Sequence, residues 1–347
     1  MSYNNNRRTG QEGALGVVLS HLKTFVRIVD AGSLTRAAEQ LSLTQPAVTK
    51  QLAALEEEFQ TTLLIRQGRR MRLTATGEVL YHYAKRIQSL AEQAYEAVAE
   101  VERPGQGEID VGAVSTVAVF SLPKVLAIFT RNFPRLRIRV HIGDIQTTLD
   151  GIIRQELAVG LVTVPIIHPQ VDSIPLFQDT VRLVVNPDRA RKLPSQISLE
   201  ELAHMDFISY QTPSRFRAFM DGMLEQHGII PHVLMEFNSH DLVKSMVKVG
   251  LGVAFVPDSV VAEDLANGTL TAIEVPELPP LARTTSLILS KDPPRTGGLM
   301  ALLATFFDHY QVEPRLWPGW YWETRAEESA LPWSAPRSTA RHPSTHS

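Results

Sequence analysis

Apolar positions between residues 20 and 58 recur at the spacing of short helices separated by a turn. The apolar residues that follow the N-cap candidate Ser33 at intervals of three and four are Leu34, Ala37, Ala38 and Leu41. Ser42 to Thr44 then predicts a tight turn, and Thr44 can cap a second helix. Pro46 suits the first turn of that helix, because the amide hydrogen that proline lacks has no intrahelical partner there. The pattern predicts two helices joined by a turn.

The second helix, from Gln45 to Glu58, has an apolar stripe and a slim polar face. Val48, Leu52 and Leu55 lie at i, i+4 and i+7, so they are predicted to pack on the domain. The residues on the opposite face are Pro46, Thr49, Lys50 and Ala53. Such a helix can pack on one side and enter a DNA major groove, which is about 12 Å wide, on the other. For this pattern taken alone, an ordinary helical hairpin with a solvated face is the alternative.

The segment from Leu63 to Thr74 predicts two short strands around Gln67-Gly68. Four arginines crowd its tip: Arg66, Arg69, Arg70 and Arg72. A basic hairpin of this kind suits phosphates or the minor groove of DNA. From residue 20 to residue 74 the chain has eight Lys and Arg against five Asp and Glu, a net charge of +3 where the whole chain has −3. Charge is therefore sorted by region, as expected if one end meets a polyanion.

A set of motifs over residues 20–77 carries a family resemblance. They are Phe25, Ala31-Gly32-Ser33, Ala37-Ala38, Gln45-Pro46-Ala47-Val48, Leu55-Glu56, Leu73-Thr74 and Gly77-Glu78. These motifs resemble the amino-terminal domain of LysR-type transcriptional regulators, and a weaker resemblance continues to about residue 312. The basic hairpin from Leu63 to Thr74 corresponds to the wing of that domain. In the turn before the wing, Phe59-Gln60 departs from the Leu-Gly that the family commonly has.

The resemblance implies double-stranded DNA as a partner. The candidate DNA-binding residues are Ser33, Thr35, Arg36, Thr44, Gln45, Pro46, Thr49, Lys50, Arg66, Arg69 and Arg70. Gln45, Pro46 and Thr49 are placed to reach base edges at the start of the second helix. The side chains better suited to phosphates are Lys50, Arg66, Arg69 and Arg70.

After Thr74, apolar residues recur at alternating spacings of three and four over about three heptads. They are Leu80, Tyr83, Ile87, Leu90, Ala94, Ala97 and Val101. This seam predicts a helix about 40 Å long, which has too little core of its own and needs a partner. The resemblance favours the family's linker helix, and so a homodimer or homotetramer that reads an interrupted inverted repeat. The alternative is an amphipathic helix that lies on its own domain.

Beyond the break at Arg103 to Gly107, strands and helices alternate. The order βαβαβ from Glu108 to Val164 predicts a parallel sheet with helices on both faces. Ile174 to Val185 is an extended run that could cross into a second lobe, and Leu281 to Leu289 is a strand that could return. The resemblance implies a two-lobed α/β effector domain similar to periplasmic solute-binding proteins. The predicted fold class is therefore a multi-domain α/β protein with an N-terminal winged helix-turn-helix and a long dimerisation helix.

The predicted domains follow from these breaks. They are a disordered extension (1–19), the winged helix-turn-helix (20–77), the linker helix (78–103), a hinge (104–107), the effector domain (108–312) and a largely disordered tail (313–347). Lobe 1 is expected at about 108–175 and 281–312, and lobe 2 at about 176–280. The tail holds every tryptophan of the chain: Trp317, Trp320, Trp322 and Trp333. Its composition suggests disorder, whereas the first three indoles could dock on an apolar groove.

Ligands of open parallel sheets bind beyond the carboxyl ends of strands, so polar residues at those ends are the candidates for an effector site. They are Ser115, Thr116, Gln146, Thr147, Thr163, Ser209, Asn238 and Ser239. Hydroxyls and amides beside helix N-termini favour a small polar or anionic effector. Residues of these types are often only helix caps. Glu156-Leu157-Ala158-Val159 departs from the family, in which an Asp commonly closes this motif.

Composition and motifs argue against an enzyme. The chain has no cysteine, which removes disulfides, thiolate nucleophiles and thiolate metal sites. It also lacks G-x-S-x-G, a Gly-Lys-Ser/Thr phosphate loop and H-E-x-x-H. We therefore expect no catalysis, no cofactor and no metal. Since no apolar run approaches about 20 residues, we expect no membrane partner and a cytoplasmic protein.

Taken together, the residues and the resemblance imply a transcriptional regulator that binds DNA and a small-molecule effector, with RNA polymerase as a further possible partner. Two alternatives stay open. One is an architectural DNA-binding protein that ignores effectors, although it would not need two lobes. The other is a solute-binding protein without DNA activity, which the basic N-terminal region contradicts.

Overall fold

The computed structural model describes residues 11–67, 70–102 and 105–322. Its first region contains α1 (Gln11–Ala31), α2 (Leu34–Leu41), α3 (Gln45–Glu58), β1 (Leu64–Gln67), β2 (Arg70–Leu73) and α4 (Ala75–Glu102). Because α1 begins at Gln11, the prediction of a disordered extension is wrong from that residue onward. Residues 1–10 lie outside the described chain.

The predicted pair of helices and its turn are present. Ser33 and Thr44 cap α2 and α3, and their side chains accept hydrogen bonds from the amides of Arg36 (3.5 Å) and Ala47 (3.4 Å). Ser42 ends α2 in the left-handed conformation, with φ of 54°. The fully buried side chains that join these helices to α1 and the wing are Phe25, Ile28, Val48, Leu55 and Leu63.

The turn before the wing is made without glycine. Gln60 adopts the left-handed conformation, with φ of 49°. This glutamine stands at the position where the family pattern has glycine. The Glu56 carboxylate then accepts hydrogen bonds from the amides of Leu63 (2.8 Å) and Leu64 (3.3 Å). Gly77 is required beside this turn, because a Cβ atom there would lie 2.0 Å from the Leu63 carbonyl oxygen.

The long helix α4 presents an apolar stripe to solvent, and this stripe includes Tyr83, Ile87 and Leu90 of the predicted seam. Its exposed large side chains are Val79, Tyr83, Ile87, Leu90, Tyr95 and Val98. The seam was predicted to begin at Leu80, which instead packs against the core of the first region. The side chains of Ala97 and Val101 lie outside the described part of the chain.

The second region forms two lobes joined by two crossover strands, β6 (Val171–Val185) and β11 (Ala282–Ser290). Lobe 1 contains β3 (Gly107–Val114), α5 (Ser115–Phe120), α6 (Leu122–Asn132), β4 (Leu136–Gly143), α7 (Ile145–Ile153), β5 (Val159–Val162) and α13 (Gly297–Tyr310). Lobe 2 contains α8 (Pro187–Ala190), α9 (Leu199–Ala203), β7 (Asp206–Tyr210), α10 (Arg215–Gln226), β8 (His232–Phe237), α11 (His240–Lys248), β9 (Ala254–Pro257), α12 (Asp258–Ala266) and β10 (Thr271–Ile273). The two-lobed α/β fold is confirmed, while α5, α8, α12 and β10 lie outside the sequence prediction.

The sheet explains how the lobes are joined. Its strand order is β10-β6-β11-β5-β3-β4, and β9 pairs with β6. Strand β3 is parallel to β4 and β5, as the βαβαβ pattern predicts, whereas β11 runs antiparallel to both β5 and β6. The crossover strand β6 also pairs with β9 and β10 of lobe 2. Both lobes therefore share β6.

The tail packs on lobe 1 as far as it is described. Trp317, Trp320 and Tyr321 are buried in the lobe 1 core. The Trp317 ring stacks on Phe307 with centroids 4.8 Å apart, and its indole nitrogen donates to the Val312 carbonyl at 3.0 Å. The cluster of Trp317, Trp320 and Trp322 is thus docked on lobe 1. Residues 313–322 are therefore an exception within the tail that was predicted to be largely disordered. Residues 323–347, which include Trp333, lie outside the described chain.

Candidate DNA-binding surface and effector cleft

The outer face of α3 is polar and exposed. Gln45, Pro46, Thr49 and Lys50 are all exposed. The inner face is buried, as the spacing predicts, through Val48, Leu52 and Leu55. The side chains that could read DNA are therefore separate from those that hold the helix in place.

The candidate residues at the ends of α2 and α3 have structural tasks as well. Ser33 and Thr44 are helix caps, and the Arg36 guanidinium donates to the Ala31 carbonyl at the end of α1. The Thr49 hydroxyl donates to the Gln45 carbonyl at 3.0 Å, which leaves its methyl group and oxygen lone pairs for a partner. Thr35 is exposed on α2.

The wing presents basic side chains beside α3. In the antiparallel hairpin, Arg66 pairs with Met71 and Gln67 pairs with Arg70. Arg66, Arg70 and the neighbouring Arg72 are exposed. Arg69, the remaining candidate, lies outside the described residues.

In lobe 1, the candidate effector residues occupy different positions. Ser115 is exposed at the first position of α5, and Thr116 beside it is buried. No side chain caps α5, so the first amides of that helix have no side-chain acceptor at the cap. Thr163 is half-buried after β5.

The N-terminus of α7 is capped by a carboxylate. Asp144 accepts a hydrogen bond from the Thr147 amide at 2.7 Å, which is the main cause of a lowered pKa of Asp144. Arg215, at the start of α10 in lobe 2, also lowers this pKa, so it acts on Asp144 across the lobes. Gln146 and Thr147 are exposed, but Thr147 lines a cleft between α4 and lobe 1. The structure thus places Thr147 on the side of α7 that faces the linker helix.

In lobe 2, the candidates lie beside groups that the sequence did not single out. Ser209 is half-buried in β7, Asn238 is exposed, and Ser239 is the N-cap of α11 without a side-chain cap hydrogen bond. His240 follows, and its Nδ1 atom lies 2.8 Å from the Tyr210 hydroxyl oxygen. The Phe216 ring packs on both, with centroids 5.1 Å from Tyr210 and 5.8 Å from His240.

Burial perturbs these two titratable groups. It lowers the pKa of His240 to about 3, with a smaller contribution from the nearby Arg283 guanidinium. Burial also raises the pKa of Tyr210. Both side chains are therefore neutral at physiological pH.

A buried ion pair joins the two crossover strands near this cluster. Asp179 on β6 is 4% exposed and Arg283 on β11 is 11% exposed, with Oδ2 and Nη2 3.0 Å apart. The Ser259 amide and hydroxyl also donate to the Asp179 carboxylate, at 2.9 and 2.7 Å. The Arg283 guanidinium lies 5.5 Å from the centre of the Phe216 ring. Sequence spacing gave no signal for this pair, because its members are 104 residues apart.

Helices α5 and α11 face each other across the lobes. Phe120, at the end of α5 in lobe 1, packs against a lobe 2 core cluster. The Lys244 ammonium of α11 lies 5.4 Å from the centre of the Phe120 ring and pairs with Asp264 at 3.0 Å. The C-terminal end of α5 therefore contacts α11 across the lobes, and neither helix has a side-chain hydrogen bond at its N-cap.

These features define a DNA-binding regulator with a two-lobed sensory domain, and comparison with known proteins identifies its family. Residues 19–78 match the family described as bacterial regulatory helix-turn-helix protein, lysR family. Residues 102–311 match the family described as LysR substrate binding domain. The chain belongs to the LysR family of transcriptional regulators, which bind DNA and small-molecule effectors and are not enzymes.

Relatives and solved structures agree with this assignment over most of the chain. A probable RuBisCO transcriptional regulator of Thalassiosira pseudonana is 29% identical and covers 81% of this chain and 94% of its own length. The uncharacterized HTH-type transcriptional regulator YusT of Bacillus subtilis (strain 168) is 30% identical, and the match covers 83% of this chain and 94% of the length of YusT. The crystal structure of full-length CbnR complexed with its target DNA has a TM-score of 0.61 at 24% identity and covers 84% of this chain and 98% of that one. A full-length OxyR variant from Pseudomonas aeruginosa has a TM-score of 0.63 at 21% identity, with 83% and 94% covered.

No helix in the described part of the chain combines the length and the apolar character needed to cross a membrane.

Proposed function

We propose that this regulator binds an interrupted inverted repeat as a homo-oligomer and responds to a small polar or anionic effector held between its two lobes. The observation that carries the proposal is the separation of an exposed polar face on α3 from a two-lobed domain joined by shared strands. We place the protein in the cytoplasm, where its DNA would be.

DNA readout would come from α3 and the wing. Gln45, Pro46 and Thr49 are exposed at the start of α3, the part of a recognition helix that reaches base edges. Lys50, Arg66 and Arg70 are exposed cations that suit phosphates.

Oligomerisation would bring two such surfaces together. The exposed apolar stripe of α4 supports this, since Val79 is 61% exposed and Leu90 is 60% exposed on a helix of 28 residues. A stripe of this length is unfavourable in water and is covered when two copies pair along it. A two-fold dimer would present two copies of α3 to an inverted repeat. Family resemblance favours a tetramer built from two such dimers.

The effector would bind where α5 and α11 face each other. Backbone amides at two uncapped helix N-termini attract anionic or polar oxygens without a buried positive charge. Two cations close to this region, Lys244 and Arg283, pair with Asp264 and Asp179. Binding would change lobe closure, shift the DNA-binding domains relative to one another and so alter DNA bending and recruitment of RNA polymerase.

Selection of duplexes from a random pool by the full chain tests the DNA arm. We expect two half-sites in inverted orientation with a gap, and mass measurement of the complex should give an even number of chains. A single isolated half-site, or no sequence preference, would contradict the proposal. Mapping bound DNA across the genome of origin would then indicate the target operon and the class of effector.

Thermal shift of the full chain with small carboxylates and polar metabolites tests the effector arm. A compound that stabilises the chain should lose affinity in calorimetry when Ser115 or Ser239 is replaced by Val, while DNA binding stays intact. Undiminished affinity in both variants would exclude this site. A chain that binds DNA but responds to no small molecule would favour the architectural alternative.

A further inference from the structure

A line of polar contacts runs along one face of α7 from its N-terminal end to its C-terminal end. The Gln146 amide donates to Asp150 Oδ1 at 2.8 Å, and Asp150 Oδ2 pairs with Arg154 at 3.5 Å. Arg154 in turn lies 4.0 Å from Glu156 Oε2. These residues follow each other at nearly one helical turn, so they connect the two ends of a short, rigid helix.

The far end of α7 is attached to the linker helix. Glu156 Oε1 lies 2.8 Å from the Lys85 ammonium of α4. The Gln155 carbonyl accepts hydrogen bonds from Gln93 Nε2 at 2.8 Å and from the hydroxyl of Ser89, which is buried. Three side chains of α4 therefore hold the turn that ends α7.

This turn is also fixed within lobe 1. Gln155 takes the left-handed conformation with φ of 58°, and its side-chain amide donates to the Asp292 carbonyl at 3.2 Å. The Leu157 side chain, just beyond, fills the space beside Gly112 and Gly151, where a Cβ atom would lie 2.6 and 2.5 Å from it. The close packing leaves little space in which α7 could move without moving this turn.

The contact continues into the DNA-binding domain. The Lys85 ammonium is 3.9 Å from Asp30 Oδ2, and the Tyr81 hydroxyl donates to Asp30 Oδ1 at 2.5 Å. Asp30 lies near the end of α1, the helix that packs on both α2 and α3. Lys85 thus bridges lobe 1 and the domain that carries the recognition helix.

Beside this bridge, a cleft separates part of lobe 1 from α1 and α4. This cleft of about 510 Å³ is lined by α1, α4 and lobe 1 and includes Lys23 and Arg27 on one wall and Arg139 on the other. The described contacts of α4 with lobe 1 are concentrated at the turn after α7. Beside an open cleft, such a group of contacts forms a pivot about which lobe 1 and the DNA-binding domain can turn.

We propose that α7 couples the effector cleft to the orientation of the DNA-binding domain, with Lys85 and Glu156 as the positioning residues of the pivot. This inference rests on the proposed effector cleft, since Gln146 and Asp144 lie at that end of α7. A change in the hydrogen bonding of Gln146 alters Asp150 and Arg154, and the altered pairing of Glu156 with Lys85 releases or turns the DNA-binding domain.

Because the chain contains no cysteine, spin labels that react with thiols attach only to cysteines that are introduced by mutation. Nitroxide labels on Glu39→Cys in α2 and Asp308→Cys in α13, two exposed positions, report the distance between the DNA-binding domain and lobe 1 by pulsed electron spin resonance. Labelled chains are diluted in an excess of unlabelled chains, so that only distances within one subunit are measured. Neither DNA nor effector is needed.

We expect one narrow distance in the parent chain, and Lys85→Met or Glu156→Gln should broaden it. Lys85→Arg, which keeps the charge, should preserve it. Glu108→Gln is the matched control, because Glu108 lines the same cleft but pairs at 2.7 Å with Arg139 of its own lobe. Circular dichroism establishes that each variant is folded.

Gln146→Glu tests transmission along α7, because a second carboxylate beside Asp150 disrupts that contact. The variant should shift the measured distance, and the shift should vanish when combined with Lys85→Met. A Lys85→Met chain that keeps the narrow distance would overturn the pivot. An unchanged distance in Gln146→Glu, or a shift that persists without Lys85, would overturn the coupling. Failure to find an effector would leave all these distances as they are, so the two proposals fail separately.

Discussion

The DNA-binding domain and the effector domain use polar side chains in opposite ways. In the former, Gln45, Thr49 and Lys50 are exposed and the core beneath them is apolar. In the latter, the polar groups near the cleft are part of what holds the lobes, since Asp179 and Arg283 are almost completely buried. Function and stability are therefore separable at one end of the chain and combined at the other.

This difference has a consequence for mutation. Removing an exposed side chain of α3 changes what the protein binds and leaves the free energy of unfolding nearly unchanged. Removing a buried polar group beside the cleft leaves its partner unpaired and lowers stability as well as response. Substitutions in the two domains test this contrast.

Asp179→Asn should have the largest effect, because it leaves Arg283 buried without its counter-charge. We expect the free energy of unfolding of the effector domain to fall by about 3 to 5 kcal/mol. Urea unfolding followed by tryptophan emission measures it, since every tryptophan of the chain lies at or beyond Trp317. Asp188→Asn is the control, because the Asp188 and Arg191 side chains are 79% and 77% exposed and should contribute less than about 1 kcal/mol. An equal loss in both variants would remove the contrast.

Trp317→Ala should have the next largest effect on stability, although a C-terminal tail is commonly dispensable. Its ring lies in the lobe 1 core between Phe307 and Trp322, at centroid distances of 4.8 Å to each. Its loss should cost about 3 kcal/mol of stability. Arg315→Ala, at an exposed side chain of the same segment, should cost little stability.

In the parent chain we expect blue-shifted tryptophan emission that iodide quenches only partly. Fully red-shifted emission, unchanged by urea, would show that the segment does not dock.

Prediction from sequence succeeded where the relevant contacts are local. The two faces of α3 follow from helical spacing alone, and the caps Ser33 and Thr44 follow from their positions before apolar repeats. The return of β11 beside β6 required the family resemblance, since periodicity does not show which strands pair. The Asp179–Arg283 pair, the Phe120 contact with lobe 2 and the side of α7 that Thr147 faces depend on distant segments, so no local pattern indicates them. The Trp-rich segment was ambiguous because its composition fits disorder as well as docking.

His240 provides a pH test of the effector domain. Its pKa of about 3 in the folded protein lies below the ordinary 6.5, so the unfolded chain binds the proton more tightly. The contribution to stability is complete above pH 6.5 and is lost as the pH falls, by about 2 kcal/mol between pH 8 and pH 5. His240→Gln should flatten this part of the stability profile, whereas the exposed His204→Gln should not. Parallel profiles for the parent and the His240 variant would show that another group dominates.

Thr49→Ala and Arg70→Ala should show the smallest effects, and these should appear in binding alone. The Thr49 hydroxyl already donates to Gln45, so its loss should cost only about 1 kcal/mol, at the lower end for a base contact, and relax the preference at one base pair. Arg70→Ala should weaken specific and random DNA alike and flatten the salt dependence by about one unit. Band-shift titrations at several salt concentrations, with unfolding curves on the same samples, separate the two effects. Equal losses on both kinds of DNA for Thr49→Ala would remove its assignment to base readout, and a lowered stability in either variant would contradict the separation of function from stability in this domain.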